Sequence, residues 1–289
     1  METLLKIIII LLIIIIYSYF ENRNLELTHY DIKSKRLPKE FDGVKLVVLA
    51  DLHNNSYGNN NEILLNKIKD EKPDYIIMAG DMLVNNKPNQ TEIPLSLIRE
   101  LSKKYPIYYG IGNHEQSLMS GERKASPDYI TYENELKKLG VHVLMNQQER
   151  IVRGNESIAI TGFMIGSEYF RKLKQPKLDA EYLQKLVGIP SDRCYNILIA
   201  HNPVYFKQYS KWGSDLIFSG HIHGGIVRLP GLGGVISPQY KFFPKYDAGR
   251  FDKDGRTLLV SRGLGMHTIK LRMFNRPELM VVTLKKEVQ

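Results

Sequence analysis

Five short polar segments of this 289-residue chain carry side chains that hold divalent metal ions. They are Asp51-Leu52-His53, Gly80-Asp81, Gly112-Asn113-His114-Glu115, a lone His201, and Gly220-His221-Ile222-His223. Carboxylate and amide oxygens combined with imidazole nitrogens suit Mn, Fe or Zn better than the all-oxygen shells of Ca or Mg. The set is large enough for two ions, and two divalent ions about 3.5–4 Å apart can polarise a phosphoryl group and generate a hydroxide nucleophile near neutral pH. No thiolate joins the set. The single cysteine, Cys194, stands apart from these segments, excludes an internal disulfide and reads as a small packing residue before a strand.

Spacing indicates what must position these groups. Apolar runs at residues 44–50, 75–79, 107–111, 197–200 and 216–218 lead into Asp51, Asp81, Asn113, His201 and His221 in turn. Five buried strands would then end in polar groups, and open α/β sheets place their sites in the crevice beyond the carboxyl ends of strands. Asp51 and His53 are two apart, so an extended segment would point both the same way. A lone His or Asp at a strand end is more often a cap or turn residue than a ligand; the ordered set of five segments reverses that. Helical patterns at 62–69, 94–103, 127–139 and 179–186 alternate with strands that continue through 158–161, 257–261 and 279–284, a layered α/β pattern. Residues 24–40 read as a leading strand at 25–30 and a connecting loop at 33–40 carrying Pro38. No repeat or second boundary divides residues 41–289, which read as one domain.

The ordered set D-x-H, G-D, G-N-H-[DE], H and G-H-x-H resembles the signature of the calcineurin-like metallophosphoesterase family, and the match runs from about Phe41 to Leu284. The resemblance implies a four-layer αββα sandwich, two mixed sheets flanked by helices. It implies one ion on Asp51, His53, Asp81 and His223, and a second on Asp81, Asn113, His201 and His221. Asp81 would bridge them, with a metal-bridging hydroxide attacking phosphorus in line. His114 would stay off the metals as the catalytic side chain, donating to a phosphate oxygen or the leaving group. Residues 224–230 and 261–265 look like those of a bacterial subgroup with an N-terminal membrane segment. That subgroup includes phosphodiesterases and enzymes that cleave the pyrophosphate of UDP-diacylglucosamine. Arg228 and Arg262 fall in these loops and are possible substrate contacts, because a guanidinium grips phosphate bidentately; a structural ion pair is the other reading. Asn54, Asn55 and Asn85 depart from the family pattern at positions that are not ligands.

The N-terminus carries a second signal. Residues 4–20 are apolar or aromatic except for Lys6 and Ser18, and these seventeen residues at ~1.5 Å each reach roughly 26 Å, enough to cross a hydrocarbon core if Lys6 snorkels. A signal peptide competes, but Tyr17-Ser18-Tyr19-Phe20-Glu21 offers no pair of small residues for a processing enzyme. Residues 1–23 are therefore expected to be an uncleaved transmembrane anchor, placing the protein at a cell membrane. Basic residues on both flanks leave the side of the catalytic domain open.

Charge bears on partners. The net charge is +9, and from residue 241 onward eleven Lys and Arg stand against five Asp and Glu. Lys270, Arg272 and Arg276, around Ile269, Leu271 and Met273, read as a solvated strand face, or as contacts for lipid headgroups or a phosphorylated substrate. The expected partners are a phosphorylated small-molecule or lipid substrate and the membrane itself through residues 4–20; no protein partner is implied. A nucleic-acid partner is not expected, because the tyrosines do not interleave with Lys and Arg as a stacking platform. The sequence therefore points to a phosphodiester or pyrophosphate hydrolase acting on a lipid- or nucleotide-linked substrate. The rivals are a nuclease or cyclic-nucleotide phosphodiesterase, and a non-catalytic metal-stabilised phosphate-binding scaffold. Specificity is expected in loops 54–61, 118–128, 166–178 and 229–251.

Overall fold

The structure is a computed structural model that describes residues 1–85, 91–120, 126–171, 176–229, 231–237, 240–266 and 271–287. The first half of the chain forms α1 (Glu2–Glu21), β1 (Glu26–Ser34), β2 (Lys45–Leu49), α2 (Glu62–Glu71), β3 (Tyr75–Met78), α3 (Glu92–Ser102), β4 (Ile107–Gly110), α4 (Asn113–Ser120) and α5 (Pro127–Lys138). There follow β5 (His142–Leu144), β6 (Gln147–Arg153), β7 (Glu156–Phe163), α6 (Ala180–Val187), β8 (Tyr195–Ala200), α7 (Phe206–Trp212) and β9 (Leu216–Ser219). The last elements are β10 (Arg228–Leu229), β11 (Gly233–Gly234), β12 (Gly249–Lys253), β13 (Arg256–Val260) and β14 (Glu278–Lys286).

The strands build two six-stranded mixed sheets, ordered β1-β14-β2-β3-β4-β5 and β12-β13-β9-β8-β7-β6. In the first sheet only the β14–β2 pair is antiparallel; in the second the two outer pairs are. The central parallel strands read as unbroken apolar runs because both their faces are covered. Val47 and Leu49 pack outward with Leu64, Ile68, Leu97 and Ile98 of α2 and α3, while Leu46 and Val48 pack inward with Ile197, Ile199 and Phe218 of the second sheet. On the far side of that sheet Leu198 and Ile217 meet Leu183 of α6 and Phe206 and Tyr209 of α7. Three apolar cores thus separate four layers, the αββα sandwich expected.

The four expected helices, now α2, α3, α5 and α6, lie within two residues of their expected bounds, while α4 and α7 were not anticipated. The start of α5 is fixed by Ser126, whose Oγ accepts from the Tyr129 N–H at 3.1 Å, with Pro127 in the first turn. β1 runs four residues beyond its expected end, because it pairs with β14 from Glu26↔Glu278 to Ser34↔Lys286. This leading strand is hydrogen-bonded into the first sheet. Helix α1 is almost wholly exposed, and it is long and apolar enough to cross a membrane. Ile269 and Lys270 lie outside the described residues, as do parts of loops 118–128, 166–178 and 229–251.

Candidate metal centre

The carboxyl ends of β2, β3 and β4 in one sheet and of β8 and β9 in the other meet at one edge of the sandwich. Asp51 Oδ1 lies 3.8 Å from His53 Nε2, 3.7 Å from His201 Nε2 and 3.5 Å from His223 Nε2. Asp81 Oδ2 lies 3.0 Å from His201 Nε2 and 4.0 Å from both His53 Nε2 and His114 Nε2. Three buried groups have donor atoms mutually within 4.8 Å: Asp51, His53 and His223; Asp81, His201 and His221; and His53, Asp81 and His114. Asn113 opens α4 beside them, and its Oδ1 is buried without a hydrogen-bond partner among the described residues.

Asp51 and His53 do not sit in an extended segment, as their spacing had led us to expect. Both lie past the end of β2 with left-handed backbone, φ 51° and 48°. Asp81, His221 and His223 share that conformation at φ 55°, 71° and 55°. Each such residue costs about 1–3 kcal/mol and persists only where its surroundings over-determine it. Those surroundings are identifiable. The His221 N–H donates to both Asp51 oxygens at 3.0 and 3.1 Å, and the His114 N–H donates to Asp81 Oδ1 at 2.8 Å. Gly112 and Gly220 permit the close approach: a Cβ on Gly112 would stand 2.1 Å from Asp81 Oδ1, and one on Gly220 would stand 2.3 Å from Asp51 Oδ2.

The donor set fits a cation. His53 and His223 direct Nδ1 at the carbonyls of Leu83 (3.3 Å) and Gly265 (3.1 Å), which leaves their Nε2 atoms facing each other at 3.2 Å. Two neutral rings so fixed set lone pair against lone pair, and a positive charge between them relieves it. His201 is fixed the same way, its Nδ1 2.7 Å from the Ala79 carbonyl and its Nε2 directed at Asp81. Burial works against charge on His201, yet Asp81 and Asp51 raise it to about 10. Burial pushes Asp51 up to about 7 despite His201. Asp81 is held well below the usual carboxylate range, because His201, His114 and His53 outweigh its burial. Both shifts favour the protonated forms of His201 and Asp51, and a cation bound between them would release those protons.

His114 contributes a different atom. Its Nδ1 accepts the Asn85 N–H at 3.0 Å, so the hydrogen-bond network assigns the proton of the neutral ring to Nε2, the nitrogen that faces Asp81. The ring meets His53 edge-on at 4.8 Å.

Motif reading did not give several supporting residues a role. Glu115 is fully buried and accepts from the N–H groups of Asp81 (2.8 Å), Leu83 (3.0 Å) and Gly112 (3.1 Å) and from the Tyr109 hydroxyl (2.8 Å). Burial, reinforced by Asp81, raises its carboxyl. The Phe170 ring lies 5.0 Å from His221 and 6.2 Å from His201, walling the site; its loop, 166–178, was expected to bear on specificity, but nothing in the sequence singled out Phe170. Asn275 Nδ2 donates to the carbonyls of His223 and Gly225, both at 2.7 Å. Arg272 overturns the solvated-face and headgroup readings: it is fully buried and donates to the carbonyls of Arg262, Gly263, Gly265 and Asn275 at 3.0–3.1 Å. Arg262 is engaged by Glu26 (3.2 Å) and Glu278 (3.3 Å), and Arg228 by Asp247 (3.0 Å). Arg262 therefore ties its loop to β1 and β14, and Arg228 ties β10 to the loop that carries Asp247.

The profile of the calcineurin-like phosphoesterases matches residues 44–225, the span that carries all five segments. The chain belongs to the calcineurin-like phosphoesterase family. It is therefore an enzyme, a metallophosphoesterase, and this family uses divalent metal ions. It is 29% identical to the metallophosphoesterase YkuE of Bacillus subtilis over 92% of this chain and 88% of that protein. It is 27% identical to the phosphodiesterase YaeI of Escherichia coli, over 83% and 82% of the two chains. It is 22% identical to the UDP-2,3-diacylglucosamine pyrophosphatase LpxG of Chlamydia muridarum, over 92% and 91%. Among solved structures, the sulfate thiohydrolase SoxB of Thermus thermophilus superposes with a TM-score of 0.51 at 13% identity, covering 86% of this chain and 57% of that one, a likeness of fold.

Proposed function

We propose that this calcineurin-like phosphoesterase is a membrane-anchored hydrolase that uses two divalent ions, Mn, Fe or Zn, to cleave a phosphodiester or pyrophosphate bond in a lipid- or nucleotide-linked molecule. The observation that carries the reading is the pair of buried groups Asp51–His53–His223 and Asp81–His201–His221. Asp81 Oδ2 is within 4.0 Å of His53 as well as His201, so it reaches both groups and can serve two ions. In this reading one ion rests on Asp51, His53, Asp81 and His223 and the other on Asp81, Asn113, His201 and His221. Bound there, the ions supply Lewis-acid polarisation of the phosphoryl group and a nucleophile at neutral pH.

The remaining steps fall to the chain's own residues. His114 holds its proton on Nε2, facing the cluster, and can donate a hydrogen bond from it to a phosphate oxygen or to the departing oxygen. Asn113, with Oδ1 turned to an ion, keeps its amide protons for a phosphate oxygen. Phe170 excludes water from the side of His201 and His221. Arg228 and Arg262, already paired, shape the loops around the site. The relatives named a phosphodiesterase and a UDP-2,3-diacylglucosamine pyrophosphatase support the bond class, and α1 supports the anchor.

The test is turnover by the full chain in detergent micelles, with Mn, Fe, Zn or Mg added singly. The panel holds a bis-aryl phosphodiester, an aryl monoester, a UDP-linked glycolipid and a single-stranded oligonucleotide. Metal-dependent cleavage of the diester or the glycolipid is expected, lost in Asp81→Ala and reduced roughly 10²–10⁴-fold in His114→Ala with the metals still bound. Equal rates in wild type and His114→Ala would remove His114 from the mechanism. Cleavage of the oligonucleotide alone would favour the nuclease reading, and no turnover with two metals bound would favour the scaffold.

A further inference from the structure

Helix α1 is fastened to the catalytic domain along one face of its last turns. Ser18 and Glu21 are its buried residues. Ser18 Oγ accepts the Arg272 N–H at 2.9 Å, Glu21 Oε1 accepts the Asn275 N–H at 2.8 Å, and Arg276 pairs with Glu21 at 3.6 Å. This attachment fixes a depth. Twenty helical residues span about 30 Å, the thickness of a hydrocarbon core, so Glu21 falls at its boundary and Ile15 about 9 Å inside it. The domain face beside Ile15 and Ser18 is thereby carried past the headgroup layer to the outer hydrocarbon. Phe274 on that face is 53% exposed, and its ring lies 5.6 Å from Tyr17 of α1.

Between α1 and the domain is a cavity of about 560 Å³, inside the roughly 300–1,000 Å³ range of ligand sites. Its walls include Ile15, Tyr19 and Arg23 from the helix side and Tyr57, Ile63 and Met266 from the domain. The cavity is polarised along the membrane normal. Ile15 lines its deep end and is 60% exposed, facing where lipid would stand. At the shallow end the Arg23 guanidinium lies 3.7 Å over the Tyr19 ring, and no carboxylate among the described residues forms an ion pair with it. A slot that begins at hydrocarbon depth beside Ile15, carries Asn22, Asn55 and Ser56 on its walls and ends at a cation at the boundary matches a phosphorylated amphiphile.

Gly265 joins this cavity to the metal centre. It lines the cavity, its N–H donates to the Asp51 carbonyl at 2.6 Å, and its own carbonyl accepts from His223 Nδ1 at 3.1 Å. Tyr57, on the same wall, donates its hydroxyl to the neighbouring Leu264 carbonyl. One residue of backbone therefore separates the cavity from two residues of the centre.

We propose that this cavity is the acyl-chain subsite of the enzyme, taking one chain of a phospholipid-type substrate directly from the bilayer that α1 crosses. The assignment rests on the membrane-anchored phosphoesterase reading. The substrate enters sideways from the leaflet, its chain beside Ile15 and Ile63 and its phosphate at the level of Arg23, next to the loop that holds Asp51 and His223.

The test uses the full chain in phosphatidylcholine nanodiscs containing a phosphatidylglycerol with a diazirine at the end of one acyl chain. Labelling is first done in EDTA, so that it does not depend on turnover. Mass spectrometry is expected to find label on Ile15, Ile63 or Met266. Ile63→Trp, on the exposed side of α2, should cut it roughly tenfold or more by filling the slot; Ile15→Trp should do the same from the opposite wall. With Mn restored, either variant should lower kcat/KM for an acylated phosphodiester relative to a soluble aryl diester by a similar factor. Label spread evenly over the exposed faces of α1, unaffected by either tryptophan, overturns the subsite even if the soluble diester is hydrolysed. Label in the slot with neither the diester nor the UDP-linked glycolipid hydrolysed overturns the proposed phosphodiester or pyrophosphate cleavage, and with it the claim that the bound lipid is a substrate.

Discussion

Replacing Glu115 with glutamine tests whether the buried carboxylate orders the Asp81 turn. The carboxylate oxygens divide four donors between them: Oε2 accepts from Asp81 N and Gly112 N, Oε1 from Leu83 N and the Tyr109 hydroxyl. A glutamine keeps one acceptor oxygen and turns an NH₂ group toward the other pair. Placed at the Oε2 position, the NH₂ orphans two backbone donors. At the Oε1 position it orphans only Leu83 N, because the Tyr109 hydroxyl can rotate and accept. The second arrangement is cheaper, at about 1–3 kcal/mol for one buried unsatisfied N–H. Loss of the charge-assisted character of the remaining bonds adds about 1 kcal/mol, while removing a carboxylate near Asp81 returns part of it. The net expectation is about 2 kcal/mol, a fall in Tm of a few degrees for a chain of this size. The larger effect falls on Asp81, whose left-handed backbone depends on these bonds. Loss of such a supporting contact typically costs about 10–100-fold in metal affinity or activity. The assay is thermal unfolding of the full chain in detergent with EDTA, followed by Mn titration calorimetry. Wild-type Tm together with wild-type Mn affinity in Glu115→Gln would refute the claim that this carboxylate holds the turn.

Other perturbations probe the same framework. Arg272→Lys keeps the charge but offers three donors to four carbonyls, so a loss of about 2–4 kcal/mol is expected in denaturant titration; an unchanged midpoint would show that the guanidinium fork does not hold loop 262–265. Gly112→Ala places a Cβ 2.1 Å from Asp81 Oδ1 and 2.4 Å from Asp81 N. Both atoms are already bonded, so Mn affinity should fall at least roughly tenfold with the circular dichroism retained; full affinity would mean the turn can shift freely. Saturating metal at about 100 times its Kd should stabilise the chain by ~2.7 kcal/mol over the EDTA-treated form, and no shift in Tm would count against a preformed metal site.

The strand ends could be read from sequence because parallel central strands are apolar on both faces, so a polar residue such as Asp51 or His201 marks the point where the sheet stops. Helices α2, α3, α5 and α6 were legible for a similar local reason, each carrying its apolar stripe and, for α5, its Ser126-Pro127 start, whereas the short α4 and α7 were not. Contacts that join distant parts of the chain were not. Asn275 reaches the His223 carbonyl across 52 positions, and the Arg272 N–H reaches Ser18 across 254. Nothing within a few residues of Arg272 distinguishes a guanidinium that will gather four buried carbonyls from one that will face water. The left-handed backbone at Asp51 and His53 was hidden too, since asparagine and glycine usually announce that conformation and here the ligand residues adopt it themselves.

That conformation explains why the support around the centre is so extensive. Five of the expected ligand residues hold positive φ, each at a cost of about 1–3 kcal/mol, and a hydrophobic core cannot offset this where it arises, because packing does not fix a turn's φ and ψ. Directional bonds can. Glu115 fixes the Asp81 turn, Arg272 fixes the loop against Asp51, and Asn275 fixes the carbonyls of His223 and Gly225. The last two are themselves tied to α1, through Ser18 and Glu21. Helix α1 thus belongs to the framework that holds His223 in place, and a change in its tilt has a short hydrogen-bonded route, from Glu21 through Asn275 to His223, by which to reach the candidate metal centre.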